Sequence, residues 1–81
     1  MLKSKPRFMT GYNAGSRHAK FGIVPPEFTM QDRTDDFKAG YKFGIIDRRA
    51  GKPTDNTAAT GCINAAWDIY SKGGEVPHAS L

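Results

Sequence analysis

The chain has 81 residues, of which 38% are hydrophobic, and a formal net charge of +4. So short a chain forms one domain, 1–81, and buries only about 60% of the surface that its unfolded form exposes. A core worth roughly 3 to 5 kcal/mol argues for a partner surface or a homo-oligomer and against a catalytic scaffold.

The single cysteine, Cys62, allows no internal disulfide and no thiolate zinc site, which predicts a reducing, cytoplasmic setting. Lys3, Lys5 and Arg7 are followed by no long apolar run, so neither a signal peptide nor a membrane span is expected.

A first helix is predicted over about 7–21. Ser4-Lys5-Pro6 leads into it with proline near the first turn. Phe8, Gly11, Tyr12, Gly15 and Ala19 then follow the i, i+3, i+4, i+7, i+11 spacing of one helical face. Gly22 and the "VPP" of Val24 to Pro26 end it, leaving 22–33 as a connector. A second helix is predicted over about 35–50. Thr34 or Asp35 opens it, Arg48 and Arg49 suit its negative end, Gly51 supplies a left-handed cap and Pro53 forbids continuation. Its inner face is Phe37, Gly40, Tyr41, Gly44 and Ile45.

A third helix, about 57–72, starts from Asp55, Asn56 or Thr57 and closes at Gly73-Gly74. Ala59, Cys62, Ile63, Ala66, Ile69 and Tyr70 form its apolar stripe, with Trp67 flanking. No segment alternates with period two, so the expected fold is all-α, with residues 1–6 and 75–81 as mobile ends.

The frame Phe-x-x-Gly-Tyr-x-x-Gly occurs twice, at 8–15 and at 37–44, an offset of 29 residues. A glycine inside a helix costs about 1 kcal/mol relative to alanine, and two in each helix call for a compensating contact. The expectation is a pseudo-repeated helix pair packed through Phe8, Gly11, Tyr12 and Gly15 against Phe37, Gly40, Tyr41 and Gly44. The rings of Tyr12 and Tyr41 would enter the bare stripes, with their hydroxyls at the edge of the contact. No Gly-Lys-Ser/Thr follows the glycines, so they are not a phosphate loop.

Residues 1–52 hold 11 of the 12 Lys and Arg against five acids, a net of +6, whereas residues 53–81 hold Lys72 against Asp55, Asp68 and Glu75, a net of −2. The basic half is therefore the candidate for meeting phosphates, through Arg17, His18, Lys20, Lys42, Arg48, Arg49 and Lys52. Two basic helix ends would bracket a phosphate backbone, and an exposed Tyr12, Tyr41 or Trp67 would stack on an unpaired base. The competing reading is that these charges cap helix dipoles and keep the surface solvated.

His18 and His78 are the only histidines, and the neighbouring Asp35 and Asp36 suit a helix start. Neither a nucleophile with its base nor a metal-ligand spacing emerges, so a non-enzymatic protein without cofactor or metal is expected. A rival is a protein-binding accessory or inhibitor module of the bacteriophage type, or a small component of a larger assembly, making contact through Phe43, Ile46 and Trp67.

The stretch from Phe8 to Arg49 resembles the ribosome modulation factor family, small basic proteins of two helices joined by a proline-containing connector. "GYNAG" at 11–15 is similar to the family's first-helix Gly-Tyr-x-Ala-Gly, and "VPP" falls where the family has a connector proline. "KAGYK" at 38–42 is similar to its second-helix Gly-Gly-Trp segment, with Tyr41 in the place of tryptophan. The resemblance covers about half the chain and implies binding to ribosomal RNA or the ribosome, with dimerisation and silencing of ribosomes.

Overall fold

The computed structural model describes residues 3–22, 34–52 and 59–77. It is all-α, with three helices among these residues: α1 (Lys5–Phe21), α2 (Asp35–Arg49) and α3 (Ala59–Ser71). Helix α1 starts two residues earlier than its apolar pattern indicates, because the Ser4 hydroxyl accepts from the Arg7 N–H and Pro6 fits the first turn. Thr34 caps α2 by accepting from the Phe37 N–H at 3.3 Å. Gly22 and Gly51 follow the two helices with φ of 75° and 81°, where a Cβ would be strained. The connector 23–33, the expected start of the third helix within 53–58 and the tail from His78 lie outside the described residues.

Helices α1 and α2 run parallel and in very close contact. A Cβ added at Gly11 would fall closer than 3.0 Å to the Phe37 carbonyl oxygen, and one at Gly15 equally close to that of Tyr41. The reverse contacts put Gly40 on the Phe8 carbonyl and Gly44 on the Tyr12 carbonyl. Higher numbers in α1 meet higher numbers in α2 along the whole interface, which defines the direction. What enters each bare stripe is thus the partner's backbone and not, as expected, a tyrosine ring. Hydrogens on the glycine Cα point at carbonyl oxygens in such an approach, and contacts of this kind are worth about 0.5 to 1 kcal/mol each.

With the backbones touching, the large side chains leave the contact on two opposite sides. On one, Phe8, Tyr12, Ala39 and Phe43 join Ile63 and Ala66 of α3, with Cys62, Trp67, Tyr70 and Val76 packed at the margin. The Phe8 ring stacks on Tyr70 and meets Trp67 edge-on, both at 5.4 Å between centroids. On the other side, Ala14, Phe37, Tyr41 and Ile45 form a second buried cluster.

Helix α3 runs antiparallel to the pair, with Cys62 near the end of α2 and Tyr70 near the start of both. Ile69, expected on the inner stripe, is instead 47% exposed. The ends expected to be mobile make defined contacts where they are described. Lys3 donates to the Tyr70 carbonyl at 2.6 Å, and Val76 packs on the core. No helix among the described residues is long and apolar enough to cross a membrane.

Candidate functional site: a basic end and a groove

Parallel packing brings the last turns of α1 and α2 to the same end of the molecule. Arg17, Lys20, Arg49 and Lys52 are exposed there, and His18 and Arg48 are half-buried. Lys42 lies near the middle of α2, half-buried and apart from this group. The juxtaposition has an electrostatic reason. Parallel helices place two negative dipole ends side by side, and cations in the last turns offset the repulsion, each by about 0.3 to 1 kcal/mol. At the opposite end Asp35 and Asp36 occupy the first turn of α2.

Tyr12 and Tyr41 are both fully buried, so neither offers a face to a base, and Trp67 is half-buried against Phe8. The exposed aromatic at the basic end is Phe21, 65% accessible, with the Lys20 ammonium 5.6 Å from its ring centroid. Phe21 is absent from the expected contacts because it stands outside the repeated frame, at the position where the second copy has Ala50.

Beneath this end each buried tyrosine hydroxyl has one partner on the other helix. Tyr12 donates to Asp47 Oδ2, and the Tyr41 hydroxyl meets His18 Nδ1 at 3.1 Å. His18 and Asp47 are themselves separated by the 29-residue offset of the repeat, so the spacing of the sequence already relates them as equivalent positions. His18 is therefore tied to the core and does not stand free toward solvent. Burial, and then the bond to Asp47 and its charge, hold the Tyr12 phenol well above its ordinary range. Burial also raises Tyr41.

The far end carries a second carboxylate, which its place in the sequence marks only as a helix cap. Asp36 accepts from the Ser4 backbone N–H at 3.0 Å and from the Tyr70 hydroxyl at 2.6 Å, joining the starts of α1 and α2 to the end of α3. Tyr70 is raised by burial first and then by this bond.

Between α2 and α3 lies an open groove of about 460 Å³, walled by Phe43 and Ile46 on one side and by Cys62, Ala65 and Ile69 on the other. Asp47 and Lys52 stand at its polar end. Of the residues expected to make a protein contact, Ile46 is half-buried and lines this groove. Phe43 is a core residue, 6% exposed and packed on Phe8 at 5.8 Å, so its ring is committed to the fold. Among the described residues no cluster of three His, Cys, Asp or Glu side chains is placed to hold a metal ion. No family model, no curated protein and no solved structure matches the chain.

Proposed function

We propose that the protein is a non-enzymatic RNA- or ribonucleoprotein-binding factor that meets phosphates with the shared basic end of α1 and α2. The observation that carries this reading is the parallel register, which gathers Arg17 and Lys20 with Arg49 and Lys52 where an antiparallel pair would have separated them. Phe21, exposed beside Lys20, would stack on an unpaired base, a contact worth about 1 to 3 kcal/mol in single-strand binders. The likeness of residues 8–49 to ribosome modulation factor supports the ribosome as the particle bound, and takes the two glycine-tyrosine helices as one repeated unit.

The test is binding of a single-stranded RNA across a salt series. Replacing Arg17, Lys20 and Arg49 together by alanine is expected to lower the slope of log K against log salt by about 2, since each lost phosphate contact removes roughly 0.7 on a single strand. Phe21→Ala should weaken binding about tenfold or more with the slope unchanged. An unaltered slope in the triple variant would leave the cations as dipole caps and surface charge.

Sedimentation of the tagged protein from its native cells, with and without ribonuclease, identifies the particle. Co-migration with ribosomes that nuclease abolishes is the expected result. Migration with a nuclease-resistant complex would favour the accessory-protein reading, which the groove between α2 and α3 supports.

A further inference from the structure

The groove between α2 and α3 has a polar end that its own chain leaves incompletely satisfied. Asp47 is 7% exposed and sits in the last turn of α2, where the helix dipole already presents negative charge. Its Oδ2 is held by Tyr12, but Oδ1 has only the Lys52 ammonium at 3.7 Å, well beyond the 2.7–2.9 Å of a charge-assisted hydrogen bond. Lys52 is itself 57% exposed at its side chain and so loses little when it turns away. Leading to this carboxylate is a channel of apolar side chains, Ile46, Ala65 and Ile69, with Phe43 and Cys62 at its floor. An aliphatic stem ending in a cation matches that sequence of surfaces, and lysine and arginine side chains have this build. The half of the chain that supplies α3 also carries the acidic surplus, −2 over residues 53–81, against +6 in residues 1–52.

We propose that the groove is a docking site for a basic segment of a partner polypeptide, which lays the stem of one lysine or arginine along Ile46 and Ile69 and donates its terminal N–H to Asp47 Oδ1, displacing Lys52. This surface is distinct from the Arg17, Lys20 and Phe21 face and does not rest on the RNA reading.

The probes are blocked five-residue peptides, Ala-Leu-X-Leu-Ala, with X as lysine, arginine, norleucine or glutamate, titrated into the full chain while the amide resonances of Cys62, Ala65 and Ile69 are followed. The lysine and arginine peptides should shift these resonances and bind at least tenfold more tightly than those with norleucine or glutamate. Lys52→Ala removes the competing ammonium from an exposed position and should tighten the lysine peptide several-fold. Ile69→Ser, also at an exposed position, should weaken it, and Asp47→Asn should remove the preference for lysine over norleucine. Equal binding of lysine and norleucine peptides, no shift with any peptide, or weaker binding in Lys52→Ala would overturn the proposal. Saturation by the free diamine cadaverine as readily as by the peptide would also overturn it, since the occupant would then be a small amine.

Discussion

Tyr12 is completely enclosed, and its phenol can give up water only because Asp47 accepts from it. Tyr12→Phe should therefore cost about 1.5 to 3 kcal/mol, the range for a hydrogen bond to a charged group, read as a lower urea midpoint. Tyr41→Phe, which loses a bond to half-buried His18, should cost about 1 kcal/mol. The same environments set the alkaline limit of the fold. Tyr12, Tyr41 and Tyr70 are all raised above 10.0, so folded and unfolded states bind equal numbers of tyrosine protons below that pH. Above it the unfolded chain ionises first, and stability falls by about 1.4 kcal/mol per pH unit for each tyrosine kept protonated. The expected record is a steep rise in phenolate absorbance that coincides with loss of helical circular dichroism. Three phenols titrating near their ordinary value with the helices intact would contradict their burial.

At the level of the elements, the four interface glycines and Gly61 make opposite predictions for one and the same substitution. Alanine at Gly15 or Gly44 gains about 1 kcal/mol of helix propensity, but its methyl would sit on a backbone carbonyl that cannot rotate away, so α1 and α2 must separate. Overpacking usually costs about 1 to 3 kcal/mol, and here the separation also opens the second cluster, so thermal melting should show a protein largely unfolded at 25 °C. Gly61 has nothing within 4 Å, and Gly61→Ala should raise stability by about 0.5 to 1 kcal/mol.

The three helices, and the role of the paired glycines as the contact between α1 and α2, were legible from spacing alone. What fills the glycine stripes was not, because a four-residue period reports a bare face and is silent on whether a ring or a backbone occupies it. Direction was hidden for a related reason, since a repeated motif packs in register with its copy when the helices are parallel and out of register when they are not. The bonds of Asp36 and Asp47 were equally hidden, because polar residues in a helical pattern read as solvent-facing until their partners are known.

Across the whole molecule, the 21 × 29 × 33 Å body is held by one tight helix pair and a more lightly attached third helix. The attachment of α3 rests on Phe8, which touches Phe43, Trp67 and Tyr70, and on the Asp36 to Tyr70 bond. Phe8→Ala should cost about 3 to 5 kcal/mol, and Tyr70→Phe about 1.5 to 3 kcal/mol, with protection of α3 amides from hydrogen exchange falling before that of α1 and α2. If all three helices lost protection together, α3 would be as firmly built in as the pair.

The parallel arrangement also governs how the chain finds its fold. Two helices joined by a tight turn can zip together from the turn, but here the glycine contacts join residues 26 apart, as in Gly11 with Phe37, or 32 apart, as in Gly40 with Phe8. The closure entropy of that excursion must be met before any of the contacts forms. Refolding should accordingly be slower than the microsecond-to-millisecond range of small helical bundles, although every helix in the molecule forms locally.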